Sequence, residues 1–235
     1  MVKPYFELTT SDAPASGAKT ISDPEQVEAR LQALSPDLSV MLFHSAILTG
    51  LGARNETTPA SACAAAGLQQ WLKTVEELRT LLSAKQWKIH DEMNCPFISA
   101  QNNQLSIIVM TGDRETGKLS INGPTNQAEK GVIVQGAILT NQQFELFDIM
   151  DRFEFESLKE ATVDSQVWVL LYHYDKKLDE VRFELSCPNG FDKKKITSWA
   201  ERLVLGNIPN KPAGFTPEVP NAPPLVPVEP KTGTF

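Results

Sequence analysis

Gln166-Val167-Trp168-Val169-Leu170-Leu171-Tyr172-His173-Tyr174 is an apolar run. The turn Asp175-Lys176-Lys177-Leu178-Asp179 follows, and Glu180-Val181-Arg182-Phe183-Glu184-Leu185-Ser186-Cys187 returns from it. The runs are bounded by turn residues and rich in β-branched and aromatic side chains, which predicts a β-hairpin. In the return strand Val181, Phe183 and Leu185 alternate with Arg182, Glu184 and Ser186. That period of two predicts one buried face and one wet face. Pro188-Asn189-Gly190 then reads as a stop, and Asp192 as the cap of a helix over 193–204 with Ile196, Trp199 and Leu203 on one side.

Upstream of the hairpin the period is first helical, then extended. Asp23-Pro24, Ser35-Pro36 and Thr58-Pro59 each place a capping side chain before a proline suited to a first helical turn. They predict three consecutive helices. The first shows Val27, Leu31 and Leu34 on one face. The second, from Pro36 to about Leu51, is apolar nearly all round and is expected inside the core. The third carries Leu68, Trp71, Val75, Leu78 and Leu82 at steps of three and four, the pattern of an amphipathic helix. Beyond Ala84, strands are expected around Trp87 and Ile89, over 97–99, over 105–110 and over 131–139. A polar loop should fill 111–130, and a helix should lie near 142–152.

The fold class implied is α+β: an N-terminal helical segment packed on a mixed, largely antiparallel sheet, with a proline-rich C-terminal tail. One domain is expected over 1–205, with its helical part at 23–84 and its sheet part at 85–205. The tail over 206–235 holds eight of the sixteen prolines, a density that forbids helix and sheet ladders. Its prolines at 217, 220, 223, 227 and 230 are spaced mostly by three, so a polyproline-II conformation aligns them along one edge. Pro217, Pro220, Pro223, Leu225, Pro227 and Phe235 are therefore the candidate contacts to another protein, or to a second copy of the chain. A spacer with no partner is the competing reading.

A net charge of −7 repels the phosphate backbone of nucleic acid, which argues against nucleic acid as a partner. Three cysteines without a CxxC pair suit a reducing compartment, and the apolar run from Val40 to Leu51 is too short to span a bilayer. A cytoplasmic protein without a membrane segment is expected.

The sharpest chemical motif is Gly112-Asp113-Arg114-Glu115-Thr116-Gly117-Lys118. It matches the G-x-x-x-x-G-K part of a phosphate-binding loop and follows an apolar strand. On that reading Gly112, Gly117 and Lys118 bind a nucleotide phosphate. Against it, Leu119 stands where a magnesium-binding hydroxyl is needed, and Asp113 and Glu115 bring negative charge. The following Ser120-Ile121-Asn122-Gly123-Pro124 also cannot start a helix. The competing reading is a solvated loop.

Lys193-Lys194-Lys195 would sit in the first turn of the expected last helix. Cations oppose the dipole there, and an anionic partner would relieve them. A solvated lysine face is the plainer account. His90 with Cys95, and His173 with Cys187, lack zinc spacing, so no metal and no cofactor is expected. Cys187 precedes a proline at a strand end, a place open to exposure, although a small core cysteine is the simpler reading. No G-x-S-x-G elbow is present.

The block from Val167 to Asp175, the run Glu184-Leu185-Ser186-Cys187-Pro188-Asn189-Gly190-Phe191-Asp192 and Ile196-Thr197-Ser198-Trp199-Ala200-Glu201-Arg202 resemble segments of uncharacterised bacterial proteins. Such proteins tend to come from mobile elements and phage-defence loci. The resemblance covers about residues 163–208 and carries no catalytic residue. With no catalytic constellation in view, a non-catalytic protein-binding or assembly subunit is expected. The alternative is a nucleotide- or nucleic-acid-processing enzyme using the Gly112–Lys118 loop.

Overall fold

The computed structural model describes residues 18–92, 94–120, 123–127, 136, 138, 141 and 166–210. Three helices precede most of the sheet: α1 (Pro24–Leu34), α2 (Val40–Asn55) and α3 (Ala65–Ser83). The strands are β1 (Lys19–Ile21), β2 (Lys88–Glu92), β3 (Cys95–Ser99), β4 (Leu105–Thr111), β5 (Gln166–Asp175), β6 (Glu180–Asp192) and β7 (Lys195–Pro209). They form one sheet in the order β1-β7-β6-β5-β4-β3-β2. The sheet is mixed and not largely antiparallel as expected, because β1 runs parallel to β7 and β4 parallel to β5.

The helices cover one face. Val27, Leu31, Phe43, Ile47, Leu78 and Leu82 meet Trp168, Leu170, Phe183, Leu185 and Leu203 in one buried cluster. The alternate residues Val167, Val169 and Leu171 of β5 point to the other face, where they pack with Ile108, Met110, Ile196, Trp199 and Ile138. Ile138, which belongs to the connection from β4 to β5, helps to close the second face. A strand buried on both sides needs no polar alternation, and β5 has none.

Of the three cap-then-proline signals, only Asp23-Pro24 starts a helix: the Asp23 side chain accepts from the Gln26 amide at 3.1 Å. Ser35 instead closes α1, its amide donating to the Leu31 carbonyl, and α2 begins later with Ser39 as its cap. Thr58-Pro59 lies in turns, and α3 begins at Ala65 with the capless Ala64 before it. Helix α2 is not wholly interior either. Met41 is 74% and Leu48 49% exposed.

The helix expected over 193–204 is β7. Its apolar residues mimic helical spacing because bulges add residues to the strand. Phe191 pairs with Ile196 and Gly190 with Ser198, so Thr197 is extra and Ile196 and Trp199 face the same side. Phe183 pairs with Gly206 and Glu184 with Val204, so Leu205 is extra and joins Ile208 on the helical side. Pro188 does not stop β6. It sits at one of these irregularities, where a missing N–H is tolerated. Of the three residues expected on one side of that helix, Leu203 lies in the cluster of Phe183, and Ile196 and Trp199 lie in the other.

Strand β7 also continues through Gly206 to Pro209, four residues into the stretch assigned to the tail. At Gly136 and Ile138 the backbone is helical, where a strand was expected. The helix expected over 142–152 lies outside the described residues. No helix among the described residues is long and apolar enough to cross a membrane.

Candidate functional site

The polar side of β6, expected to be wet, is buried. Glu184 is 0% and Arg202 1% exposed, and their side chains pair at 2.6 Å. Glu184 also accepts from Ser186 Oγ at 2.7 Å and from Arg202 Nε at 3.0 Å. Arg182 pairs with Asp175 at 2.9 Å and with Glu180 at 3.2 Å.

The lid on this charge cluster is the Gly112–Lys118 loop. The Gly117 amide donates to Glu184 Oε2 at 2.8 Å, Arg182 Nε donates to the Thr116 carbonyl, and Arg202 Nη2 donates to the Lys118 carbonyl. The glycines are explained by this closeness. A Cβ on Gly117, whose φ is +71°, would lie 2.8 Å from Arg182 Cβ, and one on Gly112 would lie 2.1 Å from Thr116 Oγ1. A phosphate-binding loop needs outward amides. Here the amides of Gly112, Asp113, Glu115, Thr116, Gly117 and Lys118 all donate within the protein, and Lys118 is exposed.

Lys193 and Lys194 form the two-residue turn between β6 and β7, both with positive φ (46° and 65°), as a type I′ hairpin turn requires. The dipole argument for an anion at these lysines therefore falls with the helix. Lys195 Nζ donates to the carbonyls of Asn126 and Gln127. Cys187 is buried in the helical-side core. Pro217, Pro220, Pro223, Leu225, Pro227 and Phe235 lie outside the described residues.

A different set of residues forms a cleft of about 510 Å³ at the carboxyl ends of the parallel strands β4 and β5. Ligand crevices in sheets with parallel strands favour this end. Thr111 comes from β4, Tyr172, His173 and Tyr174 from β5, and Lys176 from the turn after it. Arg54 reaches in from the last turn of α2, and Gln127 from the β4–β5 connection. The remaining wall is the start of α3, with Cys63, Ala64, Ala66, Gly67 and Gln70.

Three features give the cleft its character. First, α3 is uncapped. Its Ala64 has no side chain that could accept, and the amides of Ala66 and Gly67 have no hydrogen-bond partner among the described residues. These are orphan donors at the positive end of a helix of 19 residues.

Second, two buried polar groups lack partners: Gln70 Nε2 and the Tyr172 hydroxyl, on residues 1% and 2% exposed. Burial pushes the Tyr172 phenol up from its ordinary value, with the Arg54 charge opposing that rise, so the hydroxyl stays a neutral donor.

Third, the charge is one-sided. Among the described residues Arg54 and Lys176 line the cleft and no Asp or Glu does, in a chain of net charge −7. Arg54 Cζ lies over the Tyr174 ring, 3.8 Å from its centroid, and Arg54 Nη1 donates to Gln70 Oε1 at 3.4 Å. His173 is anchored through Nδ1 to the Gly112 carbonyl at 3.1 Å.

The sequence reading did not single out these residues. The available signal was the small-residue run Ala60-Ser61-Ala62-Cys63-Ala64-Ala65-Ala66-Gly67, which leads into a helix without an adjacent cap. Compared with protein-family models, curated proteins and solved structures, the chain matches none.

Proposed function

We propose that this chain is a non-catalytic binding or assembly subunit of a bacterial or phage system, related to mobile elements or phage defence, and that the β4–β5 cleft recognises a negatively charged group. One observation carries the reading: among the described residues, Gln70 and Tyr172 keep unpartnered buried polar atoms in a cleft that Arg54 and Lys176 line and no carboxylate lines. Such groups are costly in the free protein and are satisfied when a ligand brings acceptors. A binding role is favoured over turnover because, among the described residues, the cleft has no acid–base pair of carboxylates and its one histidine is tied to a backbone carbonyl. The proline-rich tail, with Pro217, Pro220, Pro223, Leu225, Pro227 and Phe235, is the proposed contact to a protein partner. The alternative of a nucleotide-processing enzyme on Gly112, Gly117 and Lys118 has less support, since that loop's amides already have internal acceptors.

The test is thermal melting of the wild type and of the double variant Arg54→Gln/Lys176→Gln against mono- and divalent anions, with sodium chloride as control. A ligand at a hundred times its dissociation constant adds about 2.7 kcal/mol, a shift of several degrees. The shift should appear in the wild type and vanish in the variant. An equal shift in both proteins, no shift with any anion, or chemical conversion of the ligand would overturn the proposal.

A further inference from the structure

Resting on the reading of the cleft as a recognition site, the donors themselves narrow the ligand. A carboxylate offers two oxygens in one plane. The donors here come from several elements of the fold: two helix-terminal amides, a side-chain amide one turn further along α3, a phenol from β5, and cations from α2 and the β5–β6 turn. A tetrahedral group with three acceptor oxygens can meet more of them at once. The charge count agrees. Two cations, with no lining carboxylate among the described residues, call for close to two negative charges, which a phosphate monoester carries near neutral pH.

Access also fits. A Cβ on Gly67 would meet nothing within 4 Å, so the space beside the helix end is open, and the alanines before it keep the amides unscreened. The cleft volume is that of a small-molecule site and exceeds what a bare phosphate fills, leaving the Tyr174 ring and the alanines to an organic portion.

We infer that the uncapped N-terminus of α3 is a phosphate site and that the cleft takes a small phosphate monoester. Its phosphoryl oxygens accept from the amides of Ala66 and Gly67, from Gln70 Nε2 and from the Tyr172 hydroxyl, opposite the charges of Arg54 and Lys176. This is the arrangement by which helix N-termini hold phosphate in general. It is separate from the Gly112–Lys118 loop, which resembles a phosphate loop in sequence alone.

Isothermal titration of the full chain with inorganic phosphate, glycerol phosphate and succinate tests the assignment. Both phosphates should bind, the ester more tightly than the inorganic ion, and succinate should bind at least tenfold more weakly than either, a difference of about 1.4 kcal/mol. Tyr172→Phe keeps the ring and removes one donor to an anion, so it should weaken phosphate binding roughly tenfold. Ala64→Asp places a carboxylate of the chain itself at the helix end. It should abolish phosphate binding while melting no lower than the wild type, since an acid there favours the helix.

Phosphate affinity unchanged in Ala64→Asp would overturn the assignment. If succinate binds as tightly as phosphate, the phosphoryl assignment falls while the cleft remains a recognition site. If none of the three binds and other anions also fail, both readings fall together. Inorganic phosphate bound more tightly than the ester would remove the organic portion and refute the monoester.

Discussion

Replacing Glu184 by glutamine removes one charge from a place that water does not reach. Its carboxylate takes four hydrogen bonds: Ser186 Oγ and Arg202 Nε on one oxygen, Arg202 Nη2 and the Gly117 amide on the other. Glutamine can accept on one oxygen only, and its NH₂ turns a donor towards two of those donors. Arg202, 1% exposed, keeps its charge without a counter-ion. Breaking one side of a buried pair costs about 3–5 kcal/mol, most of it the stranded charge. Urea denaturation should therefore show Glu184→Gln losing that much, with the slope unchanged.

The companion Glu184→Leu/Arg202→Met should recover part of the loss, because the stranded charge is gone while the Gly117 amide and the Lys118 carbonyl still lack partners. A control at the exposed pair Lys73–Glu76, 2.7 Å apart on α3, should move stability by no more than about 0.5 kcal/mol. A loss below about 1 kcal/mol in Glu184→Gln would refute the reasoning. It would mean that the 112–118 loop lets water reach the pair.

Phe183→Ala opens a cavity between the helical layer and the centre of the sheet and should cost about 3–5 kcal/mol by chemical denaturation. Gly117→Ala meets both a positive φ and the Arg182 Cβ, so a loss of about 1–3 kcal/mol is expected, read from the denaturation midpoint. The Arg182 guanidinium, with the amides of Lys177 and Leu178, holds the Asp175 carboxyl at about 2 instead of 3.8. A depressed folded-state value stabilises above the unfolded value, so this contribution is full above 3.8 and fades as pH falls towards about 2. Acid titration of Asp175→Asn should lack that part of the wild-type decline, and identical curves would count against the pair.

Sequence by itself determined the elements whose signals are local. The β5–β6 hairpin needs only two strand-forming runs around a polar turn; Tyr172 pairs with Phe183, and β5 runs one residue further than expected, so that Asp175, assigned to the turn, pairs with Glu180. Helix α1, with its Asp23 cap, and the amphipathic stripe of α3, with Val75, Leu78 and Leu82 inward, were legible for the same reason. Tertiary structure decided what local pattern leaves ambiguous. Ile196, Trp199 and Leu203 fit a helix by spacing, yet pairing with β6 made them a strand, because bulges turn a period of two into steps of three.

The same pairing brought Arg202 against Glu184, 18 residues apart, and turned an expected wet face into a buried charge cluster. It also gave the Gly112–Lys118 loop a structural task that its motif does not suggest. The cleft could not be read from the chain. Arg54 and Gln70 lie about a hundred residues from Tyr172 and Lys176 in sequence, and the two pairs converge only when α2 and α3 pack beside the carboxyl ends of β4 and β5. What makes the place chemically distinct is the pairing of side chains that find no partner with a helix that begins without a cap. The unpartnered side chains are a property of packing that no single segment encodes, whereas the capless start is written locally in the small residues before Gly67.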